Sequence, residues 1–346
     1  MKLGVNGNVR SAACTFNCEL VLMNKTTILL LRGGKEVPPL APLAGLRESE
    51  NVVIGDSPEA FRAAAPDAEV IFNWSGGLPL FREVFLMCPK LRWVHSRSAG
   101  LERSLFVELV AKDIPLTNGS GVFSPSLGEF TLAAILYFAK DFRRMIRNQM
   151  AGAWSQFDVE MVAGKTLGIV GYGDIGRAIA ARCRAMGMKI LALKRHVPAD
   201  PKSDQLVDRY FTRERLCEMA ALCDYIAVAA PLTPETRGMV GAAEFAAMKK
   251  SAVVINVGRG PIIGEKAMIA ALSEGRIKGA ALDVFDEEPL PKDHPFYKME
   301  NVLLSPHCAD HTAEWLDDAM RFFVDQFDRY RKGEPLLNVV DKKLGY

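Results

Sequence analysis

Short apolar runs recur along the chain and are separated by stretches with helical spacing. The runs are TILLL (27–31), NVVIG (51–55), AEVIFN (68–73), WVHS (93–96), KTLGIVG (165–171), KILAL (189–193), YIAVAA (225–230), AVVINV (252–257), GAALDVF (279–285) and NVLLSP (301–306). Each has the length of a strand, and most carry apolar residues without alternation, as a strand buried on both faces does. Segments such as GRAIAARCRAMG and EKAMIAALSEG lie between them and space their apolar residues as helices. Buried strand alternating with amphipathic helix predicts an α/β fold with a parallel sheet covered on both sides. Two longer helices are predicted at the edges of this block. Ser124–Met150 reads as one helix, with Ser124 as its cap and Pro125 in its first turn. Thr312–Lys332 reads as the second, with Trp315, Met320, Phe323, Phe327 and Tyr330 on its apolar face. Both are expected to join two domains.

A length of 346 residues suits two domains, and 49% hydrophobic with 24% charged residues excludes intrinsic disorder. Lys and Arg exceed Asp and Glu by 43 to 41, so charge gives no footprint for nucleic acid or an anionic membrane. No apolar run reaches the roughly 18 residues of a membrane span. The seven cysteines are scattered and form no CxxC or Cys/His grouping, which points to reduced thiols, a cytoplasmic location and no metal site. Residues 1–23 hold Cys14 and Cys18 but no basic start followed by a clean apolar run, and read as a disordered extension.

The first chemical signal is Gly171-Tyr172-Gly173-Asp174-Ile175-Gly176, set between a buried strand and a helix with apolar residues at Ile175, Ile179, Cys183 and Met186. Gly171 permits the tight turn, Gly173 the close approach of a pyrophosphate, and Gly176 the packing of helix on strand. The helix start supplies N–H groups and a positive dipole end to phosphate. After the next strand, where an acid often binds the ribose 2′-hydroxyl, stand Lys194 and Arg195. They either hold a 2′-phosphate, favouring NADP over NAD, or are merely exposed.

Three later segments place Arg259, then Asp283 and Glu288, then His307 in or beyond apolar strands. Ligands bind beyond the carboxyl ends of such strands. A cation, an acid and a histidine together suit reduction of a keto acid.

With these residues the chain resembles the D-isomer-specific 2-hydroxyacid dehydrogenase family. GKTLGIVGYGDIGRA, APLTPETRGMVG (230–241), INVGRG, GAALDVFDEEPLP and SPH carry the resemblance, and WVHSRSAGLE (93–102) is similar to the family's substrate loop. The resemblance extends from about residue 27 to the end and is densest over 164–310. It implies two Rossmann-like or flavodoxin-like, doubly wound parallel-sheet domains with the active site in the cleft between them. The substrate-binding domain would be discontinuous, 24–145 plus 306–346, and the dinucleotide-binding domain would span 146–305. A homodimer is implied, as is a small 2-oxo or D-2-hydroxy acid (glyoxylate, hydroxypyruvate, phosphohydroxypyruvate or similar) as the partner molecule.

By the same resemblance Arg259 binds the substrate carboxylate and keto oxygen, His307 is the acid and base, and Glu288 pairs with it. Backbone N–H groups of Ser98, Ala99 and Gly100 meet the substrate carboxylate. Tyr172, Gly173, Asp174, Ile175, Pro231, Leu232, Thr233, Val257, Gly258, Asp283 and His307, with Lys194 and Arg195, line the cofactor. Asp283 either supports the site or is a buried structural acid. Arg97 either adds a cation for a second anionic group or is solvent-exposed. Arg143, Arg144 and Arg147 read as a solvated face, Trp154 as packing and His95 as structural. Where the family usually has a small pair ending in glycine after its histidine, this chain has Cys308-Ala309-Asp310-His311. Formate or phosphite oxidation, or a non-catalytic dinucleotide-sensing protein, are the alternatives.

Overall fold

The computed structural model describes residues 25–34, 37–102 and 104–346. The extension expected over residues 1–23 lies outside the described residues. The strands are β1 (Thr27–Leu31), β2 (Asn51–Gly55), β3 (Ala68–Asn73), β4 (Trp93–Ser96), β5 (Leu116–Asn118), β6 (Thr166–Val170), β7 (Lys189–Leu193), β8 (Arg209–Phe211), β9 (Tyr225–Val228), β10 (Val253–Asn256), β11 (Gly279–Leu282) and β12 (Val302–Leu304). They form two sheets, β2-β1-β3-β4-β5 and β12-β11-β10-β9-β6-β7-β8, each parallel throughout. The expected double α/β architecture is therefore present. Strand order reverses between β1 and β3 in the smaller sheet and between β6 and β9 in the larger. These are the points at which such sheets open a crevice for a ligand.

Alternate residues of β1 face opposite layers. Leu29 and Leu31 pack with Phe61, Phe81 and Leu109, while Ile28 and Leu30 pack with Met320, Phe323 and Phe327. The second layer thus comes from the helix Trp315–Lys332, which begins three residues later than expected. Phe323 stacks on Phe72 at 4.1 Å between ring centres.

The segment expected to be one helix over Ser124–Met150 is two, Ser124–Ala139 and Phe142–Met150. Asp141 sits in the left-handed region at φ 51° and accepts a hydrogen bond from the Arg144 N–H, so it starts a new helix instead of continuing the old one. Ser124 is the first helical residue, not the cap, and makes no capping bond. The first of the two helices buries Leu127, Ile135 and Phe138 among residues of the seven-stranded sheet. Gly128 lets it lie against the backbone of Ala178, where an added Cβ would come within 3.1 Å. Each long helix thus follows the strands of one sheet and covers the other.

Two smaller expectations are corrected. Met186 ends its helix and is 39% exposed. Trp154, expected to pack, is 96% exposed. The helix Phe142–Met150 buries none of its residues, as a solvated face does, although Arg143 bonds the Glu300 carbonyl, Arg147 lies 3.4 Å from the Glu300 carboxylate and Arg144 covers the Phe157 ring. No helix among the described residues is long and apolar enough to cross a membrane.

Candidate active site

The glycine turn sits at the β6/β9 reversal. Gly171 has φ +94°, and a Cβ there would strike the Ala229–Ala230 backbone; at Gly176 a Cβ would lie 2.5 Å from the Gly171 carbonyl oxygen. Both glycines are thus required by crowding. A Cβ on Gly173 would meet nothing within 4 Å, so open space lies over the turn. The helix Asp174–Ala185 starts there without a side-chain cap. Its first N–H groups have no partners within the helix, which is the donor set a pyrophosphate takes. The turn therefore fits a dinucleotide. Tyr172 is directed into the fold: its N–H bonds the Leu193 carbonyl at 3.2 Å and its hydroxyl donates to Asp204 at 2.9 Å. Burial, and then the Asp204 carboxylate, push its phenol upward and keep it a neutral donor. The approach to the turn is left to Gly173, Asp174 and Ile175.

Lys194 and Arg195 follow β7 directly. The Lys194 ammonium lies 5.9 Å from the Tyr172 ring centre, while Arg195 pairs with Glu235 and covers the Tyr346 ring at 5.6 Å. Beyond β9, the Thr236 hydroxyl donates to the Pro231 carbonyl at 2.6 Å and accepts from the Thr233 N–H at 2.8 Å, closing a compact turn. Val257 donates to the Val228 carbonyl at 3.0 Å, and a Cβ on Gly258 would lie 3.0 Å from the Ala230 carbonyl oxygen. The exits of β9 and β10 are thus drawn together below the glycine turn.

Arg259 leaves β10 on a loop locked by Asn256, whose side chain accepts from the Gly258 N–H and donates to the Arg259 carbonyl at 3.1 and 3.0 Å. The guanidinium donates to the Gly258 carbonyl at 2.8 Å and to Glu102 at 2.5 Å. A Cβ on Gly100 would overlap it. The structure therefore brings Arg259 from the larger sheet against Gly100 and Glu102 from the smaller one. The Asn118 amide pins the same loop by donating to the Ala99 carbonyl at 2.8 Å. Sequence reasoning missed Glu102, whose only signal was an acid two residues beyond the Ser98–Gly100 segment.

His307 follows β12 in the left-handed region, with φ 52°. Its Nδ1 lies 2.7 Å from Glu288 Oε2, and the other Glu288 oxygen accepts from the Phe285 N–H at 2.9 Å. An ionised carboxylate only accepts, so Nδ1 is the donor and Nε2 is left to exchange a proton with a ligand.

Asp283 does not lie in a strand, as expected, but one residue past β11. It is 1% exposed, and its Oδ1 accepts from the Ser305 hydroxyl and the Cys308 and Ala309 N–H groups at 2.5, 3.0 and 3.1 Å. Its carboxylate thus holds the loop that carries His307. Arg97 is part-buried, its guanidinium carbon 4.7 Å from the ring centre of Trp74 and 5.2 Å from that of Trp315.

Residues 132–309 match the family described as D-isomer specific 2-hydroxyacid dehydrogenase, NAD binding domain. The chain is 34% identical over 272 residues to a glyoxylate reductase of Korarchaeum cryptofilum, covering 77% of this chain and 81% of that one. The chain belongs to the D-isomer specific 2-hydroxyacid dehydrogenase family. It is also 33% identical to a D-3-phosphoglycerate dehydrogenase of Methanocaldococcus jannaschii over 84% of its own length, and spans about half, 55%, of that relative. A solved 2-hydroxyacid dehydrogenase of Xanthobacter autotrophicus, in complex with NADPH and MES, superposes with a TM-score of 0.77 at 30% identity, covering 93% of this chain and all of that one. The family's members among these relatives are nicotinamide-dependent oxidoreductases of small hydroxy and oxo acids. The glycine turn, with Lys194, Arg195 and the catalytic candidates other than Glu102, lies on the strand–helix frame that the family match covers.

Proposed function

We propose that this chain reduces a small 2-oxo acid (glyoxylate, hydroxypyruvate, phosphohydroxypyruvate or a near relative) to the D-2-hydroxy acid, with NADPH preferred to NADH. The observation that carries the reading is the His307–Glu288 pair at 2.7 Å, on the same sheet edge as the glycine turn. A bound reduced nicotinamide supplies the hydride to the carbonyl carbon. His307 Nε2 gives a proton to the carbonyl oxygen, and Glu288 orients the ring through Nδ1. Arg259 holds the carboxylate and the oxygen on which charge develops, with Ser98–Gly100 on the other side. Glu102 keeps the guanidinium in place until substrate arrives. Lys194 and Arg195 receive the 2′-phosphate; the NADPH held by the Xanthobacter relative supports this.

Residues 24–145 with 306–346 form the substrate-binding unit and 146–305 the dinucleotide unit, the helix Ser124–Ala139 reaching across to the latter. The exposed residues Met150 and Trp154, beside an open groove of about 470 Å³ lined by Met145, Gln149 and Phe157, support a homodimer formed through this face. Light scattering is expected to give the mass of two chains.

The deciding experiment is loss of reduced-nicotinamide absorbance with a panel of 2-oxo acids. Turnover with NADPH is expected, and His307→Ala is expected to lower kcat by about 100-fold or more while still binding NADPH. Silence across the panel with cofactor binding intact would favour a formate, phosphite or sensing role.

A further inference from the structure

β7 lies beside β6, the strand that leads into the glycine turn, and it ends in Lys194 and Arg195 with no acid before Asp200. An acid at that strand end is what ordinarily receives the ribose 2′-hydroxyl of a dinucleotide. The structure brings an acid there from a different loop. Glu235 lies in the turn that follows β9, and its Oε2 pairs with Nη2 of Arg195, 40 residues away in the chain. Its backbone is fixed, because Glu235 stands between Thr233 and Thr236, whose hydrogen bonds close that turn.

Two observations place this pair where a dinucleotide would lie. Leu193, two residues before Arg195, accepts from the Gly171 and Tyr172 N–H groups at 3.2 Å, so Arg195 stands within about 7 Å of the glycine turn along its own strand. On the other side, the Tyr346 ring lies 5.6 Å from the Arg195 guanidinium carbon. The segment that carries Tyr346 is tied to the smaller sheet. The Val340 N–H donates to the Leu116 carbonyl at 2.8 Å, and the Lys342 ammonium donates to the Leu109 and Ile114 carbonyls at 3.1 and 2.9 Å. The pair is therefore met from both sheets. It is also open, with 61% of the Glu235 side chain and 33% of the Arg195 side chain exposed. An exposed ion pair is weakly held and exchanges its partners readily.

The two members offer opposite chemistry. A guanidinium only donates, and its planar fork matches a phosphate. An ionised carboxylate only accepts, so it takes a hydroxyl and repels a phosphate. We propose that Glu235 is a cofactor-selecting residue that accepts from the adenosine 2′-hydroxyl of NADH, while Arg195 donates to the 2′-phosphate of NADPH at the same place. Each cofactor engages one member of the pair and releases the other, so the acid missing from β7 is supplied by the turn after β9. This deepens, and rests on, the reading of Lys194 and Arg195 given above, and it leaves the hydride chemistry as it stands.

The test is fluorescence titration of the full chain with NADH, NADPH and 2′-deoxy-NADH, which lacks the hydroxyl in question. The wild-type chain is expected to bind NADH about tenfold or more tighter than the deoxy form. Glu235→Ala is expected to weaken NADH about tenfold and to erase its advantage over 2′-deoxy-NADH. Glu235→Gln, which keeps a neutral acceptor, is expected to fall between. Arg195→Met is expected to move the ratio of the two Kd values in the opposite direction, by about tenfold or more through NADPH. Melting curves show whether each variant is folded; should Glu235→Ala not fold, the Gln variant and the wild-type comparison of NADH with its deoxy form decide. An unchanged Kd for NADH in Glu235→Ala overturns the proposal even if NADPH tightens, because Glu235 then acts on the phosphate by repulsion alone. Equal weakening of NADH and 2′-deoxy-NADH overturns it too. An unshifted ratio in Arg195→Met removes the 2′-phosphate reading beneath it, and a wild-type chain that binds neither cofactor removes the dinucleotide site itself.

Discussion

At the scale of single residues the site depends on a carboxylate that never has to meet substrate. Asp283 gathers the Ser305 hydroxyl and two backbone N–H groups on one oxygen, and these donors lie on either side of His307. Removing the acceptor leaves three donors unsatisfied in a buried place, at about 1–3 kcal/mol each. Asp283→Ala is expected to lower unfolding stability by about 3 kcal/mol or more, read from urea midpoints, and to lower kcat as the His307 loop relaxes. Asp283→Asn keeps an oxygen acceptor and is expected to lose less of both. Arg259, Glu288 and His307 were legible because each follows an apolar run, so their place on the sheet edge comes from chain order alone. The Glu102–Arg259 pair and the contacts of Arg97 with Trp74 and Trp315 were not. Arg259 is 157 residues from Glu102, and Trp74 and Trp315 lie on two segments separate from that of Arg97. Only the packing of these segments in the fold creates them.

At the scale of elements, ten strands could be read from their apolar runs, while β5 and β8 could not. These two, LTN and RYF, mix polar with apolar residues and form no apolar run, and exist because a neighbour offers a partner: Val94 for Leu116, and Leu191 for Arg209. The break at Asp141 escaped notice for a related reason, since helical spacing persists on both sides of it while the buried face ends at Ala139. The glycine turn allows a sharp contrast. Gly171→Ala forces a side chain into a left-handed residue against backbone, and is expected to cost about 1–3 kcal/mol and shift the urea midpoint accordingly. Gly173→Ala meets open space and is expected to melt as wild type does. It should nonetheless weaken NADPH binding about tenfold or more in a fluorescence titration, because the methyl lies where the pyrophosphate must approach. Equal behaviour of the two variants would argue against a phosphate cradle here.

At the scale of the whole molecule, His95 couples stability to pH. It is fully buried, its Nδ1 lies 2.7 Å from the Thr117 hydroxyl, and burial lowers its pKa to about 3. The unfolded chain takes up this proton near pH 6.5, and the folded chain refuses it until about pH 3. Between these values the unfolded state binds more protons, so stability falls as pH falls, with a slope of about 1.4 kcal/mol per unit at most from this residue. Urea midpoints at pH 7, 6 and 5 are expected to drop more steeply in wild type than in His95→Phe; parallel slopes would show that carboxylates alone set the acid limb. Cys88, Cys183 and Cys223, whose thiols burial pushes up to about 12, are expected to resist alkylation until the molecule opens.

The crossing of the two long helices also sets a timetable for synthesis on the ribosome. The first five strands emerge early, and one of their faces gains its helices at once. The other face, with Phe72, Trp74 and Trp93, waits for Trp315–Lys332. That helix follows about 200 residues later, roughly 10–40 s at about 5–20 residues per second. During that interval the nascent chain carries an uncovered aromatic sheet, a surface that a holding chaperone would recognise, while the larger sheet can complete itself first. The domain begun first is therefore the one finished last.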